Sequence, residues 1–501
     1  MKRLFFACFL IPLLFMCTFP ASAMAMEDRT PQEEMIFDIL VDRYSNGNKA
    51  FDKDIDVDDP YTYHGGDLDG IINRLDEIEE LGFSAITLSP IMQSSPDGYH
   101  GYWVEDFYEI DDHFGTMEDL EELIEEAHKR GIKIILELVT KYVWPTNSIV
   151  TDNPDWVSGQ ESDEDIPWME DVDVLDQTNT AVKDFLFDVA DFWMDETDID
   201  GYKLHAADEA DADFLHDLTT HIKEKDENFL LIADLLYPES SIDYMFNEDS
   251  IDLVEDYTLF KSMTDTLAKP EQPVSDMYDA WKEKSSKKGL FYVDNKYTKR
   301  FAQLVGENNR HPLTSWKLAL TFMYTTPGVP YVYQGSTVPM YGAGFPESQS
   351  LVQFTFDTDD YTEFYHRIST LREQFPVLTD GDYEIVGSDG AMSVFKRKNE
   401  DETIYVAINN DSESRSIKVT DIDTGNQLRG VLEDDIVRES KDGTYTIGLP
   451  REAADVFVIE SDTGLNWPFI VMVGGIFFLF PILIITLSIK QKKQKKQTQQ
   501  S

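Results

Sequence analysis

The sequence predicts an α/β chain: a TIM-type (β/α)8 barrel with a short insertion after its third strand, then a C-terminal antiparallel β-sandwich domain, then one C-terminal transmembrane helix. Three observations predict it. Strand-like and helix-like segments alternate from about residue 35 to about residue 375, the pattern of βα units. From about residue 380 the pattern changes to short strands between polar turns. Trp467 to Ile489 is apolar and uncharged, and a run of about 20 such residues crosses a bilayer as a helix.

The ends frame the rest. Residues 1–25 read as a signal peptide: Lys2 and Arg3 precede an apolar run from Leu4 to Phe19, and small residues follow at Ala21-Ser22-Ala23. The barrel then occupies 26–375, with its insertion at about 141–177, and the sandwich domain 380–462. After the transmembrane span 467–489 comes a basic tail, 490–501, whose five lysines belong on the cytoplasmic side. The implied location is the cell membrane, single-pass, with the large N-terminal part extracellular. Both cysteines, Cys8 and Cys17, lie in the signal segment, which leaves the mature chain no disulfide and no thiolate site. A net charge of −54 excludes nucleic acid as a partner and gives a self-repelling surface.

Each barrel unit has its own justification. Met35 to Leu40 is a first apolar strand, and Gly70 to Leu81 carries apolar residues at helical spacing. Ser84 to Leu88 is the second strand. Thr116-Met117-Glu118-Asp119 is a capping box that opens a helix, and Arg130-Gly131 ends it. Lys133 to Leu138 is the third strand. The polar stretch 141–177 lacks periodicity and is the insertion; Trp144, Trp156 and Trp168 lie within it, as groove lining or as packing. Further strands fit at Gly201–Leu204, Leu230–Ala233, Ile251–Val254, Phe301–Val305 and Val329–Tyr333. The last domain offers strands at Tyr383–Val386, Met392–Phe395, Thr403–Ile408 and Val456–Ile459.

Several motifs then appear in a familiar order. They are His64-Gly65-Gly66-Asp67, Tyr99-His100-Gly101-Tyr102-Trp103, His113-Phe114-Gly115-Thr116, Asp200-Gly201-Tyr202-Lys203-Leu204-His205 and Tyr331-Val332-Tyr333-Gln334-Gly335. Together they resemble the α-amylase family of glycoside hydrolases, especially its neopullulanase and cyclodextrinase-like members, over about residues 35–460. The resemblance implies two catalytic carboxyl groups about 5–5.5 Å apart, as in retaining glycosidases, and a third carboxylate beside them.

The residues at those positions differ from the family's. The family writes Gly-Phe-Arg-x-Asp at the fourth strand; this chain has Lys203 at the arginine position and His205 at that of the nucleophile. Lys203 and His205 share one face of the strand. The acid/base position falls on Asp234, one methylene shorter than the usual glutamate. The third position is placed at Asn309, with Asn308 as the alternative; Glu307 is the nearby acid. The family's Asp-x-Val-x-Asn-His becomes Glu137-Leu138-Val139-Thr140-Lys141-Tyr142, which puts a cation where the resemblance implies a calcium-binding asparagine. His100, Tyr102, Trp103, Tyr142 and Lys203 match positions that line the substrate site. Asn46, Asn48, Asp52, Gly65 and Asp67 resemble the N-terminal calcium site of cyclodextrin-type relatives, or else form polar turns.

Two readings follow. One is a membrane-anchored, extracellular member of the family that does not hydrolyse efficiently and binds α-glucan or malto-oligosaccharide, or acts as a scaffold for another protein. The other is an active α-glucan hydrolase with a non-standard catalytic set, using Asp234 as acid and Glu307 or water in the nucleophilic step.

Overall fold

The computed structural model describes residues 29–159, 166–169, 172–237, 243–246, 248–354 and 359–462, together with 464 and scattered positions from 475 to 489. The expected signal peptide, the basic tail and about half of the expected transmembrane span lie outside the described residues. Among the described residues no helix is long and apolar enough to cross a membrane.

Eight parallel strands close a barrel in sequence order. They are β1 (Ile36–Ile39), β2 (Ala85–Leu88), β3 (Lys133–Leu138), β4 (Gly201–Leu204), β5 (Leu230–Ala233), β6 (Leu253–Glu255), β7 (Gly289–Phe291) and β8 (Val329–Tyr333). β1 closes the ring by pairing with both β2 and β8, as in Ile36 opposite Ala85 and Tyr331. The strands are short, apolar and buried on both faces, as parallel strands wrapped by helices must be. Alternate residues turn inward. Ile36, Ile135, Ile232, Leu253, Leu290 and Val329 belong to one buried apolar cluster that fills the bore.

The seventh strand corrects the sequence expectation. It is Gly289–Phe291, whereas Phe301–Val305 begins a helix, Phe301–Glu307. That helix has no cap of its own: Arg300 stands at the N-cap without a side-chain bond. Asp294 supplies one from outside, its Oδ2 accepting from Phe301 N at 2.7 Å. At the far end Asn309 takes a left-handed φ of 56°, and Arg310 N reaches back to Val305 O at 3.1 Å. That is how asparagine stops a helix. Asn309 is therefore a helix terminator and not the end of a barrel strand.

Two local features shape the mouth of the barrel. The expected helix 70–81 is split into Leu68–Ile72 and Leu75–Glu80. Gly70 is required in the first because a Cβ there would sit 1.8 Å from Ser45 O. The 141–177 excursion contains a short ribbon, Tyr142–Val143 paired with Asp173–Val174, and the helix Ser148–Asp152.

Beyond the barrel, strands Asp382–Asp389, Met392–Lys398, Thr403–Asn409, Ala453–Ser461, Asn426–Gly430 and Ile436–Arg438 form one antiparallel sheet in that spatial order. A ribbon of Arg415–Val419 and Tyr445–Leu449 accompanies it. Both share a core that includes Met392, Tyr405, Ile417, Tyr445 and Phe457. Arg310 fixes this domain to the barrel, its Nη1 donating to Asn410 Oδ1 and to Leu267 O.

Candidate active site

The inward positions nearest the C-terminal ends of the strands are charged. Asp38 on β1, Glu137 on β3, Lys203 on β4 and Glu255 on β6 point into the bore, and His205 and Asp234 follow β4 and β5 directly. Register brings them level, with Glu137 opposite Lys203 and Leu204 opposite Ala233. Lys203 Nζ is the hub. It lies 3.0 Å from Asp234 Oδ1, 3.6 Å from Glu137 Oε2, 3.7 Å from Glu255 Oε1 and 3.8 Å from Asp38 Oδ1.

His205 sits where the resemblance places the nucleophile. Its Nδ1 is 3.0 Å from both Glu137 Oε1 and Asp234 Oδ2. Its ring stacks on Tyr102 at 4.3 Å, and Trp168 from the excursion packs edge-on at 5.1 Å. His205, Lys203 and Asp234 are each 1% exposed. A second lysine, Lys296, bonds Glu137 Oε2 at 2.5 Å. Tyr297 donates to Tyr102 Oη at 2.8 Å, and Tyr102 donates to Glu137 Oε1 at 2.8 Å. Four carboxyl groups, two ammonium groups and one imidazole therefore share the barrel mouth.

The charges shift one another's protonation in opposite directions. Burial alone would raise Asp234, but Lys203, the bond from His205 and Lys296 together pull its carboxyl well below the ordinary range. In the same way burial raises Glu137, but Lys203, Lys296 and the bond from His205 together outweigh it and lower its carboxyl to about 2. Glu255 goes the other way: burial and the neighbouring Asp234 charge raise it well above its ordinary value. Burial opposes a charge on His205, yet its bonds to Asp234 and Glu137 raise it above 6.5. Acidic and basic side chains thus alternate around Lys203 and His205. Buried charges persist when they are paired in this way.

The other predicted residues fall into three groups. His100, Tyr102 and Tyr142 are buried around the same point, packed on Trp168 and on each other. Burial and Arg43 hold His100 neutral, lowered to about 3, and its Nδ1 accepts from Tyr102 N. Trp103 is half-buried, donates to Trp168 O at 2.6 Å and lies 4.8 Å from Trp144. Asn309 and Glu307 are elsewhere: Glu307 is on the helix that Asn309 ends, with its carboxylate bonded to Lys299 and Gln303. The segment that does follow β7 is Asp294-Asn295-Lys296-Tyr297, and it brings Lys296 to Glu137 and Tyr297 to Tyr102. Glu255 and Asp38 were also not foreseen as site residues, whereas Trp168, read as groove lining or as packing, packs against Tyr102 and His205. The signal for the first two was an acid at an inward strand position of an otherwise apolar run.

Two places have the donors for a metal. Glu137, His205 and Asp234 can bring ligand atoms within 4.8 Å of one another. They do not suit a cation, because the Lys203 and Lys296 ammonium groups already hold those carboxylates. The predicted calcium residues do gather in one loop. Asn46 Nδ2 donates to Asp52 Oδ1 at 2.7 Å, and a side chain at Gly65 would strike both of these residues. Asn48 Oδ1 accepts from Ala50 N. Asp67 is already committed: its carboxylate accepts from Gly47, Asn48 and Gly70 N at 2.9, 2.8 and 2.6 Å.

Comparisons with known proteins agree with this architecture. The family profile "Alpha amylase, catalytic domain" matches residues 38–155 and 166–376, and "Alpha-amylase C-terminal domain" matches 381–457. The chain is 36% identical to an α-amylase of Anoxybacillus of known structure, with a TM-score of 0.82 over 87% of this chain and 100% of that one. An α-amylase of Geobacillus thermoleovorans, solved in complex with acarbose, is 35% identical, with a TM-score of 0.79 over 87% and 100%. A β/α-amylase of Paenibacillus polymyxa is 29% identical over 85% of this chain, which spans only 38% of that protein's length. A cyclomaltodextrinase of Thermoanaerobacter pseudethanolicus is 26% identical over 78% of this chain and 72% of its own. Fold, domain order and sequence together establish that the chain belongs to the α-amylase family of glycoside hydrolases.

Proposed function

We propose that this chain is a cell-surface member of the family that binds α-glucan without hydrolysing it. The observation that carries the reading is Lys203 and His205 inserted among Glu137, Asp234 and Glu255, all buried. Retaining hydrolysis needs one free carboxylate and one protonated carboxyl group flanking a sugar. Here Asp234 is ionised and bound to an ammonium group, so it has no proton to give at neutral pH. The nucleophile position holds a ring already bonded to two acids. The same two facts weigh against the active-hydrolase reading.

The ligand class comes from the relatives, which include cyclomaltodextrinases, neopullulanase and an enzyme solved with acarbose. The anchor belongs to the same proposal and rests on the apolar, uncharged run 467–489 and its lysine flank. Calcium belongs to it as well: Asn46, Asn48, Asp52 and Gly65 are hard oxygen donors gathered in one loop, with Asp67 bracing them through backbone bonds. Chelation that lowers the melting temperature would support that site, and an unchanged melting temperature would remove it.

Incubation with starch, pullulan, cyclodextrins and maltosides tests the central part. No sustained release of sugar is expected. Turnover that Asp234→Ala abolishes would overturn the reading. Calorimetry with maltoheptaose then separates a glucan binder, which gives heat, from a pure scaffold, which gives none.

A further inference from the structure

Lys141 follows β3, at the position where the resemblance implies a calcium-binding asparagine. Its ammonium donates to the backbone carbonyl of Glu209 and lies 3.7 Å from Glu209 Oε2. Glu209 belongs to the turn Ala207–Glu209, just after β4. The Lys141 carbonyl meanwhile accepts from Leu175 N at 2.8 Å, at the end of the excursion. Gln177 reinforces the junction: its Nε2 donates to Thr140 O at 3.1 Å, and its Oε1 accepts from Asp211 N at 2.8 Å. Asp211 in turn caps the helix Ala212–Lys225. Asp208 accepts from Leu236 and Tyr237 N, which ties in the segment after β5. Four stretches of chain thus meet around one side chain that is 9% exposed.

We propose that the Lys141 ammonium does the work of a structural cation, clasping the 141–177 excursion to the turn after β4 without any divalent ion. The surroundings fit a cation. A carbonyl and a carboxylate converge on the nitrogen; burial lowers the lysine's pKa below its ordinary value, and Glu209, Asp208 and Asp211 oppose that shift. A bound ion holds such a joint only in proportion to its free concentration. An ammonium carried by the chain is always present, so the excursion stays closed when calcium is scarce. A charge-assisted hydrogen bond is also about twice as strong as a neutral one.

The full-length protein tests this with Lys141→Arg, Lys141→Met and Lys141→Asn, each in chelator and in calcium. The readouts are melting temperature and the rate of proteolysis within 141–177 relative to the rest of the chain. Wild type and Lys141→Arg are expected to be cut slowly and equally in both buffers. Lys141→Met should be cut about tenfold faster in both, as loss of one charge-assisted hydrogen bond implies. Lys141→Asn should be cut fast in chelator and slowly in calcium, because its amide oxygen and the Glu209 oxygens again offer a cation hard donors. The proposal falls if Lys141→Met is as resistant as wild type, or if chelator opens the wild-type excursion. It also falls if calcium fails to protect Lys141→Asn selectively. None of these outcomes depends on whether the barrel binds or cleaves glucan.

Discussion

The floor and the mouth of the barrel bore are made by the same eight strands with the same inward alternation, yet they are held together differently. The floor is Ile36, Ile135, Ile232, Leu253, Leu290 and Val329 packed as hydrocarbon. One inward step further along, Asp38, Glu137, Asp234 and Glu255 surround Lys203. Apolar packing is non-directional and tolerates change in kind if volume is kept. A buried ion cluster is stable only when every member has its partner. The comparison teaches that the fold resides in the floor, and that the mouth is free to change chemistry only as a set. A histidine at 205 calls for carboxylates at 137 and 234, and both are present.

The largest expected effect breaks the mouth at its hub. Lys203→Met should destabilise by about 3–5 kcal/mol, the usual result of stranding buried charges, and thermal unfolding would read it. A loss below 1 kcal/mol would show that the cluster is not cooperative. In the floor, Leu253→Ala should cost about 2–5 kcal/mol through a cavity. Floor and mouth also differ in pH dependence, which sharpens the contrast. Asp234 and Glu137 have lowered values, so their contribution is present above 3.8 and 4.5 and is lost as pH falls through the folded values, about 2 for Glu137. His205 has a raised value, so its contribution is full below 6.5 and is lost as pH rises through the folded value. Glu255 is raised as well, and ionisation in the unfolded chain works against the fold from 4.5 upward. Leu253→Ala should shift the whole stability–pH curve without reshaping it, whereas His205→Gln should flatten its limb above 6.5.

Next in size is His205→Asp, which restores the residue the family uses. It places a further carboxylate between Glu137 and Asp234, so it should lower stability by about 1–3 kcal/mol and release no sugar from maltosides. Sugar release by that variant would mean that the network does not block hydrolysis. The smallest effect concerns the N-terminal loop. Asp67→Ala removes the N-cap of Leu68–Ile72 and should cost about 1 kcal/mol, the same in chelator and in calcium if Asp67 serves the backbone alone.

Much of the fold was legible in the sequence. β3, β4, β5 and β8 fall at the expected residues because apolar strands alternate with amphipathic helices. β7 was not legible, since it is three residues long and the following helix takes its N-terminal bond from Asp294, seven residues earlier, rather than from its own N-cap residue. Phe301–Val305 therefore offered an apolar run that mimicked a strand. The chemistry was half legible. Lys203, His205 and Asp234 stand at motif positions and meet in space. Lys296, Tyr297 and Glu255 belong to the same cluster, but their partnership depends on inter-strand register and on which strand is seventh. Trp168 reaches the site from an excursion without periodicity, and no local pattern announces that.

The central claim is that no group at the barrel mouth is free to attack a sugar carbon. The most direct measurement is fluoride release from α-maltosyl fluoride, whose leaving group needs no acid catalyst, so that only nucleophilic assistance is tested. A rate equal to that in buffer, unchanged by Asp234→Asn or His205→Gln, is the expected result. Accelerated release that either substitution abolishes would contradict the account.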